Sequence, residues 1–270
     1  MGICISCTST DTMCFDICKT PHSRIYYTKT QDGTCTRVTK HFTSPIEFRN
    51  PYYTNIIRFL LEHPSPHVIL IHTIRYDFTK PVYAATPLRT PMPSVHVEME
   101  YIRFDLFEYL KTYDHEITNE NRISFASSMI SAVQWLHTNN IIHFDIKLEN
   151  FMVCEDSYTV KLIDFESATW KNETMHSRIY LRTTEEFIAP EYHNYRIHGF
   201  HNDIWSLGIA LFILFEGTLC FDNRTICLCE EVPSLTFTKT PALFQSIIEH
   251  CIEYDYLKRI TIEEISQLLK

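Results

Sequence analysis

Residues 143–150 read HFDIKLEN, and they lie between two short apolar segments, Ile141–Ile142 and Phe151–Val153. A second turn candidate, Asp164-Phe165, follows the strand-like run Val160–Ile163. Short apolar runs that end at polar residues are typical of strands that end in turns. The sequence therefore predicts two loops that carry charged side chains between short strands.

The side chains of these two loops suit phosphoryl transfer. A carboxylate such as Asp145 can orient a hydroxyl group, and Lys147 can neutralise the charge of a phosphate. Asn150 and Asp164 supply an amide and a second carboxylate, ligand types that magnesium accepts. The alternative is that the acids only cap turns. Because a lone His-x-Asp is weak evidence, the prediction depends on the order of the whole set.

The order H-x-D-x-K-x-x-N followed by D-F resembles the catalytic and metal-binding loops of eukaryotic-type protein kinases. The resemblance implies an α+β, bilobal protein-kinase-like fold, with a small antiparallel β-sheet N-lobe that carries one helix and a mainly helical C-lobe. It implies ATP and Mg²⁺ as cofactors and proteins as substrates. Asp145 and Lys147 would then be catalytic, and Asn150 and Asp164 would ligate the metal.

Later segments extend the resemblance through the C-terminal half. Residues 183–191, TTEEFIAPE, resemble the end of a kinase activation segment, where Thr184 matches the threonine that bonds the catalytic Asp and Lys of serine/threonine kinases. Residues 203–208, DIWSLG, match the helix whose Asp supports the catalytic loop, and Arg259 is the expected partner of Glu191. The resemblance implies structural roles for His143, Phe165, Glu191, Asp203 and Arg259.

The N-terminal half predicts the strands of the smaller lobe. Three strands, with a Gln-Asp-Gly turn between the last two, are predicted at Met13–Cys18, Arg24–Thr28 and Thr34–Phe42. Val38-Thr39-Lys40 resembles the kinase strand whose lysine binds the α- and β-phosphates, which gives that role to Lys40. A solvated strand lysine is the alternative.

Two further strands and the hinge between the lobes follow. The strands are predicted at Val68–Thr73 and Val95–Glu100, and the Pro-rich stretch Pro81–Pro93 between them predicts a loop. Their order places the gatekeeper at Met99 and the hinge at Glu100–Ile102. The resemblance implies ATP-binding roles for Lys40, Met99, Glu100, Tyr101, Ile102 and Met152. Helices are predicted at Asp105–Leu110 and Ile123–His137.

The glycine-rich turn of the family is missing from this sequence. Kinases carry G-x-G-x-x-G between their first two strands, but no glycine lies between Gly2 and Gly33. Cys18, Thr20 and Ser23 are the candidates for the three small-residue places. Because a backbone without glycine approaches phosphate less closely and adopts positive φ only at a cost, we expect weakened nucleotide binding.

The acid that pairs with the phosphate-binding lysine is missing as well. The next helix is predicted at Tyr53–Glu62, and no acid lies between Glu47 and Glu62. Glu166, which replaces the glycine of D-F-G, is the hypothesised substitute partner of Lys40. A drifted position with a tolerant backbone is the alternative.

Phe144 replaces the arginine of H-R-D, which in the family receives the activation-loop phosphate. We therefore expect any activity to be independent of activation-loop phosphorylation. Two hypotheses of function follow. The first is a serine/threonine protein kinase of the non-RD type, and the second is a weak or inactive pseudokinase that acts as a membrane-tethered scaffold. The compact length and the scarcity of glycine resemble virus-encoded kinases.

Composition excludes other classes of protein. The formal charge of −9, from 24 basic and 33 acidic residues, argues against a nucleic-acid partner. Five of the ten cysteines lie in the first 35 residues without a secretory signal peptide before them, so we expect reduced thiols in the cytoplasm. The longest apolar run, Ile209–Phe215, is too short to span a bilayer and predicts a buried helix.

The first residues, MGICISC, match the pattern for N-myristoylation at Gly2, with Cys4 and Cys7 available for palmitate. A second acyl group would make membrane anchoring stable, which predicts the cytoplasmic face of a membrane, in an infected host cell if the protein is viral. The alternatives are an ordinary N-terminus and a zinc site formed by Cys4, Cys7, Cys14 and Cys18. The predicted divisions are a lipidation segment at 1–11 and a kinase domain at 12–270, with the N-lobe at about 12–99, the hinge at about 100–103 and the C-lobe at about 104–270.

Overall fold

The computed structural model describes residues 13–20, 22–29, 35–46, 50–83, 91–172, 184–221 and 231–270. The chain divides into two compact units between Tyr101 and Ile102. The residues up to Tyr101 are called the N-terminal unit, and those from Ile102 to Lys270 are called the C-terminal unit. The predicted lipidation sites Gly2, Cys4 and Cys7 lie outside the described residues.

The N-terminal unit is built on a five-stranded antiparallel sheet with strand order β1-β2-β3-β5-β4. Its elements are β1 (Met13–Lys19), β2 (Ser23–Lys29), β3 (Cys35–Phe42), α1 (Tyr53–Glu62), β4 (Ile71–Tyr83) and β5 (Pro91–Glu100). Side chains of a strand alternate between the two faces of a sheet, so one face can be apolar and the other polar. Phe42, Val95 and Val97 are almost fully buried, whereas Glu98, the residue after Val97, is partly exposed and pairs with Arg37.

Helix α1 covers the apolar face because its own apolar residues form one stripe. Tyr53, Ile56, Ile57 and Leu60 are buried, at the i, i+3, i+4, i+7 spacing of one helix face. The ring of Tyr53 meets that of Phe42 edge-on, with 5.0 Å between ring centroids. Full burial of such side chains contributes about 1.5–3 kcal/mol each, so this packing fixes the position of β3.

The first three strands and helix α1 confirm the sequence predictions, but β4 and β5 differ from them. The predicted loop Pro81–Pro93 is wrong at its ends, because Val82 pairs with Met92 and Tyr83 pairs with Pro91. Pro91 is the first residue of its strand, a position where a missing N–H is tolerated. The register of β4 shifts between Asp77 and Val82, the stretch that contains Pro81. Residues 84–90 of that loop are outside the described part.

The C-terminal unit is mainly helical. Its helices are α2 (Leu106–Tyr113), α3 (Asn119–Thr138), α4 (Pro190–Tyr195), α5 (Phe200–Glu216), α6 (Ala242–Cys251) and α7 (Ile262–Leu268). Its short strands are β6 (Ile141–Ile142), β7 (Phe151–Cys154), β8 (Thr159–Leu162) and β9 (Thr169–Trp170). Strand β6 pairs with β9, and β7 pairs with β8. The first and second of these helices confirm the two helices predicted after the hinge: α2 begins one residue after the predicted start and ends at Tyr113, and α3 extends beyond both predicted bounds.

Side-chain caps set where several of these helices begin. The carboxylate of Asp105 accepts a hydrogen bond from the backbone N–H of Glu108 at 2.8 Å, and Thr118 and Asn121 form a reciprocal capping box at the start of α3. Such caps satisfy backbone donors that have no partner inside the helix, and each contributes about 0.5–2 kcal/mol. The caps therefore fix α3, which leads the chain into residues 143–150.

Helix α5 is the centre of the C-terminal core. It contains the apolar run Ile209–Phe215, which is almost entirely buried as predicted. A Cβ on Gly208 would lie 2.6 Å from the Cβ of Cys251, so only glycine allows α5 and α6 to pack this closely. Among the helices that the structure describes, none combines the length and the apolar character that crossing a membrane requires.

Candidate active site

The loop at residues 143–150 is held by a buried carboxylate from a distant helix. The carboxylate of Asp203 on α5 accepts hydrogen bonds from the backbone N–H groups of His143 and Phe144, both at 2.8 Å. The Nε2 atom of His137 on α3 lies 3.0 Å from the same carboxylate. Phe144 has a φ of 64°, a conformation that costs a bulky residue energy, so these bonds hold the loop in a shape it would not adopt alone.

Four of the predicted site residues meet in one bonded cluster around Asp145. The Nδ2 of Asn150 donates to the carboxylate of Asp145 at 2.9 Å and to its backbone carbonyl at 2.7 Å. The Nζ of Lys147 lies 2.9 Å from that carboxylate and donates to the hydroxyl of Thr184 at 2.7 Å. The hydroxyl of Thr184 in turn lies 3.3 Å from the carboxylate. Asp145, Lys147 and Thr184 are therefore each bonded to at least two other members of the cluster, and Asn150 is bonded twice to Asp145.

The two predicted loops are joined to each other. The Nε2 of His143 donates to the carbonyl of Ile163 at 2.9 Å, and its ring meets that of Phe165 edge-on at 5.1 Å. The backbone N–H of Ile163 donates to the carbonyl of Asn150 at 2.8 Å. Asp164, the next residue, has a φ of 63°, which sets the direction of its side chain. His143 and Phe165 therefore connect the loop of Asn150 to the loop of Asp164.

The donor set fits magnesium better than a transition metal. Because the amide nitrogen of Asn150 donates to Asp145, its amide oxygen is the atom that can coordinate a cation. An amide oxygen and the carboxylate of Asp164, completed by phosphate oxygens and water, suit the hard Mg²⁺ ion. Within the described residues there is no cluster of three or more His, Cys, Asp or Glu side chains able to hold a metal.

The end of the predicted activation segment is anchored by a buried ion pair. The guanidinium of Arg259 donates to both carboxylate oxygens of Glu191, at 2.7 and 3.0 Å. Arg259 also donates to the backbone carbonyls of His201 and Glu253, and Asn202 donates to Glu191 at 2.9 Å. The structure thus brings together the pair predicted from the sequence, and it adds Asn202, which the sequence analysis missed.

Phe144 lies in an apolar cluster that the sequence analysis did not foresee. Ile142, Phe144 and Tyr192 are buried together, and Ile188 and Phe200 pack against them. The rings of Phe144 and Tyr192 are 5.7 Å apart. The only signal in the sequence was the aromatic residue at the place of an arginine, because Ile188, Tyr192 and Phe200 lie more than 40 residues away along the chain.

The predicted nucleotide-binding residues of the N-terminal unit lie on its central strands. Lys40 is buried on β3, with its Nζ 5.7 Å from the ring centroid of Phe42. Met99 pairs with Val38 at the end of β5. The carboxylate of Glu100 accepts a hydrogen bond from Leu70 N–H at 2.7 Å.

The remaining hinge and adenine candidates are placed as follows. The backbone N–H of Tyr101 donates to the carbonyl of Thr36 at 3.0 Å. Ile102 begins the C-terminal unit. Met152 is a half-buried residue of β7 that forms a bridge with Asp105.

Helix α1, which follows β3 and its Lys40, carries no acidic residue in its first turn. Glu62, at its last residue, is exposed. Glu166 is half-buried in the short 3₁₀ turn Phe165–Ser167. Its pairing with Lys40 remains a prediction.

Comparisons with known proteins agree with this arrangement. The family model for the protein kinase domain matches residues 57–268. The serine/threonine protein kinase OSK3 of Oryza sativa subsp. indica is 31% identical over 211 residues, which are 75% of this chain and 38% of that protein. The SNF1-like protein kinase ssp2 of Schizosaccharomyces pombe is 31% identical over 214 residues, 76% of this chain and 33% of that protein. The death-associated protein kinase 2 of Homo sapiens is 31% identical over 173 residues, 59% of this chain and 46% of that protein. The chain spans less than half the length of these relatives.

Proposed function

The chain belongs to the eukaryotic-type protein kinase family, and from this membership we propose that it is an ATP-dependent serine/threonine protein kinase. The observation that carries the proposal is the bonded cluster of Asp145, Lys147, Asn150 and Thr184. A threonine bonded to both the lysine and the aspartate is what the resemblance to serine/threonine kinases predicts. Protein hydroxyl groups are the proposed acceptors.

The cluster assigns a task to each residue. Asp145, oriented by Asn150 and Lys147, accepts a hydrogen bond from the acceptor hydroxyl and aims it at the γ-phosphate. Lys147 offsets the negative charge that the transferring phosphoryl group carries into the transition state. Asn150 and Asp164 would hold Mg²⁺, which supplies charge neutralisation at the phosphates.

The apolar cluster around Phe144 supports the finer proposal that the kinase works without activation-loop phosphorylation. In the family, an arginine at this place needs a phosphate to order the activation segment. Here Phe144 packs in one cluster with Ile188, which lies in the last part of the predicted activation segment, and with Tyr192, which directly follows it. We expect protein treated with phosphatase to keep its activity. Loss of activity after that treatment would refute this part of the proposal.

The decisive experiment is magnesium-dependent transfer of labelled phosphate from ATP to a mixed protein substrate, comparing the wild type with Asp145→Ala. We expect incorporation into serine and threonine for the wild type and loss of incorporation for the variant. Equal signals from the two proteins would end the enzyme proposal. Incorporation mainly into tyrosine would refute the serine/threonine assignment.

A second candidate function is a pseudokinase that acts as a scaffold. It is favoured by α1, which offers Lys40 no acid in its first turn. A pseudokinase would show no transfer in the same experiment but would keep the fold, as judged by a cooperative unfolding transition. Transfer that Asp145→Ala abolishes excludes this alternative.

The proposed location follows from the sequence at the N-terminus. We propose acylation at Gly2, with palmitate at Cys4 and Cys7, and association with the cytoplasmic face of a membrane. Incorporation of a clickable myristate analogue into the wild type, but not into Gly2→Ala, tests the first step. Fractionation of cells that express Cys4→Ser/Cys7→Ser tests the second, since one acyl chain gives only marginal binding.

A further inference from the structure

The turn between β1 and β2 forms hydrogen bonds with itself. The hydroxyl oxygen of Thr20 accepts hydrogen bonds from the backbone N–H of Ser23 at 2.9 Å and of His22 at 3.2 Å. The same hydroxyl lies 3.1 Å from the hydroxyl of Ser23 and 3.3 Å from its carbonyl oxygen, so its own proton has an acceptor as well. One side chain therefore takes up two of the backbone donors of this turn.

The other donors of the turn are also accounted for. The backbone N–H of Thr20 donates to the carbonyl of Ser23 at 2.8 Å. Pro21, by its chemistry, has no N–H. From Thr20 to Ser23, each backbone donor is thus either bonded within the turn or missing.

The turn is also tied to the strand beside it. The carbonyl of His22 accepts a hydrogen bond from the backbone N–H of Thr43, just after β3, at 2.8 Å. The Nδ1 of the His22 ring lies 3.3 Å from the hydroxyl of Ser44. The segment that follows β3 therefore helps to fix the position of His22 in the turn.

The consequence concerns phosphate. Turns that hold phosphate do so with backbone N–H groups that point at the anion. In this turn the N–H groups of His22 and Ser23 already donate to the Thr20 hydroxyl. We propose that the Thr20 hydroxyl closes the β1–β2 turn to phosphate, so that nucleotide is bound without backbone donors from this turn and Thr20 sets the affinity for its phosphate groups. The inference rests on the proposed kinase function and adds an affinity-determining residue to it.

The test removes the hydroxyl and keeps the shape. Thr20→Val is nearly isosteric and leaves the N–H groups of His22 and Ser23 without their acceptor, whereas Thr20→Ser keeps the oxygen. We expect calorimetry to show about tenfold tighter binding of Mg·ATP by Thr20→Val, about 1.4 kcal/mol, the scale of one hydrogen bond to a charged group. Thr20→Ser should bind like the wild type. Adenosine, which has no phosphate, should bind equally to all three proteins.

A spectroscopic measurement keeps the test independent of any loss of stability. In ¹⁵N-labelled protein, the backbone amide signals of His22 and Ser23 should shift on addition of Mg·ATP in Thr20→Val and stay in place in the wild type. Equal Mg·ATP affinity of the wild type and Thr20→Val, or shifted amides in the wild type, would overturn the inference. So would a gain in affinity that adenosine shares.

The outcomes also separate this inference from the proposed function. If the wild type transfers phosphate but Thr20→Val binds Mg·ATP no better, the inference fails and the kinase function stands. If the wild type neither binds Mg·ATP nor transfers phosphate, the kinase function fails, and tighter Mg·ATP binding by Thr20→Val alone would still support the closed turn. If that variant also binds none, both fail.

Discussion

The two units of the chain differ in how their polar side chains are bonded. In the C-terminal unit, side chains far apart in sequence bond to one another: Asp203 holds the loop of Asp145 from about 60 residues away, and Arg259 holds Glu191 from 68 residues away. In the N-terminal unit, the N–H donors of His22 and Ser23 in the β1–β2 turn bond to Thr20, two and three residues away. Helix α1, which follows the strand of Lys40, has no acidic residue in its first turn.

This contrast predicts which substitutions cost the most stability. A carboxylate inside a network cannot be replaced without leaving several partners unsatisfied, and each unsatisfied buried group costs about 1–3 kcal/mol. The donors of a turn have a simpler substitute, because a single hydroxyl can satisfy them. We therefore expect substitutions in the network of the C-terminal unit to cost more stability than substitutions in the β1–β2 turn.

The largest expected effect tests whether the C-terminal unit depends on its long-range bonds. Arg259→Met should lower the free energy of unfolding by about 3–5 kcal/mol, because it leaves the buried carboxylate of Glu191 without its charge partner. Urea unfolding monitored by circular dichroism measures the change. Lys258→Met is the matched control, since the pair of Lys258 with Asp255 is exposed and its loss should leave the midpoint unchanged. Similar losses in both variants would contradict the network interpretation.

The next largest effect is expected from Lys147, the lysine of the bonded cluster around Asp145. Lys147→Met should lower kcat by about 10²–10³-fold, the range found when one preorganised donor to a transition state is removed. The Nζ of Lys147 bonds both Asp145 and Thr184, so its loss also releases the orientation of those groups. Steady-state phosphate transfer measures kcat. Lys111→Met, an exposed lysine of α2, is the control and should keep full activity.

A smaller effect is expected from Lys40, the predicted phosphate-binding lysine of the N-terminal unit. Lys40→Met should lower kcat/KM by about 10–100-fold, the value of one hydrogen bond to a charged group, because its proposed role is a single charged contact to the nucleotide phosphates. The same transfer assay measures it, with the exposed strand lysine Lys19→Met as the control. A loss as large as that of Lys147→Met would break the contrast between the two units. It would favour Glu166 as a working partner of Lys40.

The sequence predicted what is local and what the family motif encodes. Strand β3 and helix α1 follow from alternation and helical spacing, and the order of Asp145 and Asn150 follows from the motif. The extent of β4 could not be predicted, because pairing between the two strands overrides the local signal of Pro81.

Contacts that join distant segments were equally hidden. His137 meets Asp203 across 66 residues, and no pattern along the chain marks that distance. The missing glycines were visible near Thr20, but the hydroxyl that satisfies the turn was not, since only the structure gives the direction of its bonds.

The smallest expected effect tests whether a carboxylate at a partly exposed position of the C-terminal unit also supports the fold. At the end of α5, Glu216 accepts hydrogen bonds from the backbone N–H and the hydroxyl of both Thr238 and Thr240 and from the N–H of Lys239. Its pKa is lowered to about 2: burial alone would raise the pKa, but the hydrogen bonds outweigh it. The ionised form is therefore the one that stabilises the fold.

The sign of the pH dependence follows from that direction. Since the pKa of Glu216 is lower in the folded state than its ordinary value of 4.5, its stabilisation is complete above about pH 4.5 and disappears as the pH falls toward about 2. The group is largely exposed, so water screens the effect and we expect Glu216→Gln to cost only about 1 kcal/mol at pH 7. Thermal unfolding of both proteins from pH 7 to pH 3 measures it, and the two curves should approach each other as the pH falls below about 4.5. Glu249→Gln, on the exposed side of α6, should run parallel to the wild type. If the Glu216→Gln curve also stays parallel, the carboxylate does not anchor residues 238–240, and support by networks is confined to the buried part of the unit.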